Sequence, residues 1–382
     1  MATGVVSLTS DLKRKKWMRE GLIQAASKSF WSPMTGASRD SIVFQANNES
    51  ASDGHTVVFD FDGNLSGKAI KGKNTAYGKG EQKKKFSDKV TVERYRLVAD
   101  NGDVFDAVDI GDLSISQHSD SRSKLGDLFV RFKDQAIFDS AQGLLNTNDS
   151  GIQAPSHIID LGATFTFNTL LDIETTVKTS QGFTFGGIRR PPEPYMTSNG
   201  EPIWLLVIDS AMANVLRQDT AGYQTLVAQG DVRGDQNRNI KGVIGKLGSI
   251  LIVVADQFFG DTYGTQLGWG LDDSEIEICG MRQYDGANAA TALWTGQAGF
   301  NYNSANLHSR GLLMGAGAIQ TAFGKMPDYK FQESQDFGIK SESAVEFWME
   351  ARKCNLKAEN EQYKAAKVSD LDYGVIAIDL QV

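Results

Sequence analysis

Two strings decide the fold: HTVVFDFD at residues 55–62 and VTVERYRL at residues 90–97. Both are rich in β-branched and aromatic residues and read as strands. In the second, Val90, Val92, Arg94 and Arg96 alternate with Thr91, Glu93, Tyr95 and Leu97, the period of two that a strand requires. The nearly thirty residues between the strings contain Gly63, Gly67, Gly72, Gly78 and Gly80, lysines at 68, 71, 73 and 79, and few large apolar side chains. Nothing there builds a core of its own. Two strands bracketing such a run predict a long protruding hairpin over 54–97, with its tip at about 62–90.

Working outward, residues 1–53 are rich in Ser, Asn, Thr and Gly and show a short amphipathic stretch at Trp17, Met18, Leu22 and Ile23. They read as an N-terminal arm that orders only against something else. On the other side of the hairpin, Leu125, Leu128, Phe129, Phe132, Ala136, Ile137, Ala141, Leu144 and Leu145 recur at spacings of three and four. This stripe predicts a long helix over 113–145, a spine on the order of 50 Å at 1.5 Å per residue. A shorter helix is expected over 166–179 around Phe167, Leu170, Leu171 and Ile173.

The rest reads as alternating strands and loops. Ile203-Trp204-Leu205-Leu206-Val207-Ile208 is an apolar run expected to be a buried strand, and Asp209 and Ser210 stand where a helix N-cap belongs. Ile250 to Val254 and Gly374 to Leu380 are further buried strands, and the glycine-rich, aromatic-rich stretch 256–315 is expected to form strands and loops around one lobe.

Charge is unevenly placed. The net charge of the 382 residues is -8, but residues 1–30 carry +4 and residues 68–96 carry +7, which leaves about -19 for everything else. An overall acidic chain is not one that wraps nucleic acid in a continuous basic surface, although a container for nucleic acid remains compatible. Two basic arms beside an acidic body suit arms that lie on neighbouring copies of that body. Solvated, lysine-rich loops are the plainer alternative.

The search for chemistry returns little. Ser210 in Ile208-Asp209-Ser210-Ala211-Met212 lacks the flanking glycines of a nucleophile elbow. His55, His118, His157 and His308 have no ligand spacing that suggests a metal. Gly242, Gly245 and Gly248 lack the spacing and the Lys-Ser/Thr pair of a phosphate loop and fit a tight turn before the strand at 250. Asp272, Asp273, Glu275 and Glu277 read as a solvated strand edge, and Arg233-Gly234-Asp235 as a chance triplet. No catalytic, cofactor-binding or metal residue is assigned, no enzyme activity is expected, and no apolar run is long enough for a membrane helix.

Particular strings, in this order, resemble those of a known family. They include Leu216-Arg217-Gln218-Asp219-Thr220, Arg233-Gly234 with Asn237, Gly242-Val243-Ile244-Gly245, and Ser249-Ile250-Leu251-Ile252-Val253-Val254. Arg310-Gly311-Leu312-Leu313-Met314-Gly315-Ala316-Gly317-Ala318, Ala322-Phe323-Gly324-Lys325, Phe337-Gly338 and Asp372-Tyr373-Gly374-Val375-Ile376-Ala377-Ile378-Asp379 continue the series. With the hairpin and the spine, they are similar to the major capsid proteins of tailed bacteriophages with the HK97-like fold, in the branch of the coliphage N-four type. Asn237-Arg238-Asn239-Ile240 departs from that family, which has Asn-Pro and an aromatic at this point.

The resemblance implies an α+β fold with an N-arm (1–53), an extended loop (54–97), a spine helix (112–147), a peripheral domain (154–207 with 331–382) and an axial domain (208–330). It implies self-assembly as hexamers and pentamers into an icosahedral shell that encloses double-stranded DNA without sequence-specific binding. Scaffolding, portal and decoration proteins are the implied partners, the virion capsid the implied location, and the host cytoplasm the place of assembly. A glycine-rich α/β enzyme and a nucleic-acid-binding protein are the rival classes; each leaves the basic, poorly packed arms unexplained.

Cys279 and Cys354, the two cysteines of the chain, are too few for a disulfide scaffold and have no Cys-x-x-Cys spacing. Both are expected to remain thiols. Intact mass should equal that of the fully reduced chain when thiols are quenched during purification; a mass lower by two hydrogens would contradict this.

Overall fold

The computed structural model describes residues 29–38, 40–47, 54–62, 68–80, 85–103, 113–142, 157–179, 184–185, 188–189, 193–197, 200–219, 222, 243–258, 282–284, 307–325, 327–335, 340–358, 371–372 and 374–381. Cys279, the acidic run at 272–277, the Arg233–Asp235 triplet, Lys83, Lys84 and the amphipathic stretch at 17–23 lie outside them.

The expected long helix forms over Leu113–Gln142, 30 residues, which corresponds to about 45 Å. Its stripe does not meet a single surface. Leu125, Phe129 and Val130 pack on Leu97, Val345, Phe347 and Met349 of a six-stranded sheet. Ile137, Phe138 and Ala141, further along, join the core of an eight-stranded sheet with Leu205, Val207, Leu312 and Met314. The helix therefore bridges the two sheets.

In the six-stranded sheet the longest element is Lys340–Lys353, 14 residues. It pairs antiparallel with Glu93–Asp103 on one side and with Asp328–Gln335 and Ile319–Phe323. Strand alternation sorts its side chains. Val345, Phe347 and Met349 face the helix, while Glu346 and Trp348 face away.

The eight-stranded sheet runs in the order Val243–Leu247, Ile250–Val254, Pro202–Ile208, Leu307–Met314, Val375–Gln381, Ile158–Asp160. It draws strands from both ranges expected as peripheral and axial. The central strand explains why the sequence 203–208 shows no polar alternation: Ile203, Leu205 and Val207 enter one core, and Trp204, Leu206 and Ile208 enter another. Helices Phe167–Thr179 and Ser210–Gln218 cover the second face through Leu170, Ile173, Val177, Met212 and Leu216. The latter helix is capped as expected, the Asp209 carboxylate accepting from the Met212 N–H at 2.7 Å.

Two expectations are corrected. The strand expected over 90–97 is two strands, Lys85–Thr91 and Glu93–Asp103, which belong to different sheets. The first pairs with Thr56–Asp62, from Thr56 opposite Thr91 to Asp62 opposite Lys85. The ladder thus continues past 90 to Lys85, and the tip spans 63–84. The chain changes sheets at Val92, whose N–H donates to the His55 carbonyl and whose carbonyl accepts from Gly54.

The second correction concerns the arm. Residues 29–47 do not await an external surface: Phe30, Trp31, Met34, Ile42 and Val43 are buried in the same core as Ile137 and Phe138. Strand Val43–Asn47 adds in parallel to Ile319–Phe323. The polar composition of the first fifty residues conceals five apolar anchors, enough to offset the ordering of a short segment.

The joint between helix and six-stranded sheet rests on aromatic packing. Phe347 lies 4.7 Å from Phe129, 5.4 Å from Phe132 and 5.7 Å from Tyr95, ring centre to ring centre. Phe347→Ala should lower unfolding free energy by about 3–5 kcal/mol, as read by urea denaturation. A loss below about 1 kcal/mol would show that the helix is not held there.

Candidate functional site

The residues weighed as chemical candidates have structural roles where they are described. Ser210 opens a helix, and its N–H and hydroxyl both donate to the Asp256 carboxylate, the former at 2.8 Å. Its partner is an acceptor held in place, with no imidazole in the pair. Gly248 has φ +53° in the turn between Val243–Leu247 and Ile250–Val254, the tight turn expected there. The Glu174 carboxylate occupies the space where a side chain at Gly248 would stand and accepts from the Ser249 N–H at 2.9 Å. Burial works against the ionised form of Glu174, but the Lys178 ammonium and the Ser249 N–H outweigh it, so its pKa lies below the ordinary carboxylate value. Among the described residues no group of His, Cys, Asp and Glu is placed to hold a metal ion. No helix there is long and apolar enough to cross a membrane. Cys354 is a buried free thiol that accepts from Gln320 Nε2 at 3.1 Å.

The surface that stands out is the hairpin tip. Every residue of 68–80 is exposed. Two tight turns shape it: Gly72 and Gly78 have φ of +69° and +81°, the left-handed region in which a Cβ is unfavourable. Asn74 Nδ2 donates to the Lys71 carbonyl at 3.0 Å, and Lys79 N–H to the Ala76 carbonyl at 3.2 Å. Lys68, Lys71, Lys73 and Lys79 stand on this frame, and none has an ion-pair partner among the described residues. Between them Tyr77 is 95% exposed. An exposed tyrosine close in sequence to exposed lysines offers both apolar and cationic surface.

The hairpin's root is built differently. Val57, Phe59, Val90, Val92, Trp348 and Cys354 form a small core of their own, with Phe44 and Ala46 against it. Trp348 lies beneath two cations, Arg94 at 5.7 Å and Lys325 at 5.2 Å from the ring centre. Arg94 and Lys330 both pair with the Glu346 carboxylate, which is almost fully buried. A buried carboxylate with two cationic partners fixes geometry more than it adds stability. The root is packed, whereas the described residues of the tip are exposed.

A second polar feature escaped the sequence reading. Asp134, on the long helix, is buried between the stretch that meets one sheet and the stretch that meets the other. Its carboxylate accepts from Ser29 Oγ and the Phe30 N–H, each at 2.6 Å, and its backbone carbonyl accepts from Trp31 Nε1 at 3.0 Å. Phe30, Trp31, Phe138 and Phe258 stack around the anchor. The available signal was Phe30-Trp31 followed by Pro33 and Met34, an apolar knot in an otherwise polar segment.

With this geometry in place, three solved structures are similar to the chain. The capsid of Ralstonia phage GP4 is 19% identical with a TM-score of 0.68, over 100% of this chain and 95% of that one. The acidic stable capsid structure of Helicobacter pylori bacteriophage KHP30 is 16% identical with a TM-score of 0.63, over 93% and 91%. The capsid asymmetric unit of cyanophage Pam1 is 13% identical with a TM-score of 0.55, over 99% of each chain. A profile of the family described as phage capsid protein matches residues 5–160, under half of the chain. No curated protein sequence matches. The likeness to the solved structures is one of fold: the chain has the α+β, HK97-like architecture expected from its sequence.

Burial raises the pKa of Asp134 to about 6, the hydrogen bonds from Ser29, Phe30 and Trp31 and the nearby Lys133 opposing it only in part. A carboxyl whose folded pKa is raised penalises the fold when ionised, so stability rises as pH falls from above 6 towards the unfolded value. Between pH 7 and pH 5 the gain is about 1 kcal/mol, and it should be missing from Asp134→Asn. Urea denaturation of both proteins at both pH values checks it; an identical pH dependence would contradict the assignment.

Proposed function

We propose that the protein is a tailed-bacteriophage major capsid protein, of the branch with the coliphage N-four type, which self-assembles as hexamers and pentamers into the icosahedral head shell around double-stranded DNA. The observation that carries this reading is the hairpin: a packed root and a basic tip whose described residues, 68–80, are all exposed, with no ion-pair partner for its lysines among the described residues. A closed array of identical subunits gives every such tip a partner. The acidic remainder of the chain supplies the complementary charge, and repetition around each capsomer multiplies contacts that are individually weak.

Within this reading the helix Leu113–Gln142 is the spine, residues 154–207 with 331–382 are the peripheral domain and residues 208–330 the axial domain, and the eight-stranded sheet takes strands from both ranges. Residues 1–53 are the N-arm, of which 29–47 are docked on the subunit itself. The chain works without catalysis, cofactor or metal, holds DNA without reading its sequence, is assembled in the host cytoplasm and resides in the virion. Scaffolding, portal and decoration proteins are its proposed partners.

Lys83 and Lys84 follow Gly78 and Gly80 in the sequence, and Lys85 opens the strand Lys85–Thr91. Replacing all three by glutamate touches no residue of the described core and should leave circular dichroism unchanged while sedimentation shows shell assembly blocked or misdirected. Normal particles from this variant would remove the intersubunit role of the hairpin. Loss of DNA affinity with assembly intact would favour a nucleic-acid-binding arm instead.

A further inference from the structure

We propose that residues 29–47 are a strap that fixes the direction of the hairpin relative to the body, coupling a contact on the long helix to the hairpin's root. The two ends of the strap lie in different cores. At one end Ser29, Phe30 and Trp31 are tied to Asp134 and packed with Ile137, Phe138 and Phe258. At the other, Phe44 meets Phe59 of the hairpin edge to face, ring centres 5.0 Å apart, and Ala46 lies against the same cluster. The strand Val43–Asn47, at the hairpin end, is held to Ile319–Phe323 by five residue pairs in parallel register, and Thr35–Gly36 pair in parallel with its Val43 and Phe44, which ties the segment after Trp31 to that strand by backbone pairing.

The hairpin needs such a prop because of how its strands leave the body. The same two stretches pair in both sheets: Glu93 stands opposite Met349 in one and Ser87 opposite Lys357 in the other. Between these points residues 88–92 face residues 350–356, two more on one side than on the other. The ribbon forks there. Residues 350–353 leave their hairpin partner and pair with Ile319–Ala322 instead, and the Cys354 N–H donates to the Ala318 carbonyl. A ribbon with an opened ladder bends freely unless something fills the fork. Phe59, Val90, Val92, Trp348 and Cys354 fill it, and the strap's Phe44 closes that cluster from the side of the body. Strand continuity alone would leave the angle to the fork; the strap supplies a second attachment, and two attachments define a direction.

The test reads amide hydrogen exchange on the full-length chain as purified, without requiring assembly, so it stands apart from the capsid reading. Trp31→Ala loosens the anchor without touching any hairpin residue. Exchange should rise about ten-fold at Val57–Phe59 and Lys89–Val92 as well as in 42–47, with the helix Phe167–Thr179, which packs in a separate core, unchanged. Ser29→Ala removes one hydroxyl and leaves every core side chain in place; it should give the same pattern at a few-fold amplitude, and it serves if Trp31→Ala fails to fold. Faster exchange confined to 29–47, or a rise at the hairpin root no greater than that in Phe167–Thr179, would overturn the proposal.

Discussion

The structure depends on a single helix having to bury its apolar stripe against two sheets at once. The described part of the stripe on Leu113–Gln142 meets two different cores. Phe129 and Val130 are therefore spent on Val345 and Phe347, and Ile137, Phe138 and Ala141 on Leu205, Val207 and Met314. Such a bridge leaves a seam where one packing surface ends and the next begins. A carboxylate sits in that seam, and a segment from far away in the chain is bound to it. Asp134 is an expensive residue to bury, which is why its oxygens are met by a hydroxyl and a backbone N–H rather than left to the core.

From this seam the rest of the architecture can be followed. The strap that begins at Asp134 adds a strand to the six-stranded sheet and ends against the hairpin root. The hairpin strand Lys85–Thr91 continues Glu93–Asp103 of that sheet beyond the fork, and the described residues of the tip, 68–80, are all exposed. Stability is concentrated in the helix and the sheets, and unsatisfied surface is concentrated at the end of the longest lever.

The sequence made some of this legible and not the rest, for physical reasons. A 3.6-residue stripe and a doubly apolar strand are local patterns, and both Leu113–Gln142 and Pro202–Ile208 were readable for that cause. Asp209 as a cap was readable because capping involves residues three apart. The break at Val92 was not read: the apolar positions shift there from Phe86, Val90 and Val92 to Tyr95, Leu97 and Ala99, but only the distant strands that each half meets make the shift a change of sheet. Nor was the docking of 29–47, where Phe30, Trp31, Ile42 and Val43 follow no period and pair with groups more than a hundred residues away at Asp134. For the candidate site, composition located the basic tip, whereas Arg94 and Lys325 over Trp348, and Arg94 and Lys330 on the buried Glu346, come together only once distant strands lie side by side.

The central claim is that the chain is a shell subunit, and direct imaging tests it most plainly. Negative-stain electron microscopy of the purified full-length protein, across a range of salt concentrations and with phage scaffolding protein supplied where required, should show closed icosahedral shells or their hexameric and pentameric capsomers. Monodisperse monomers or dimers under every condition would contradict the account.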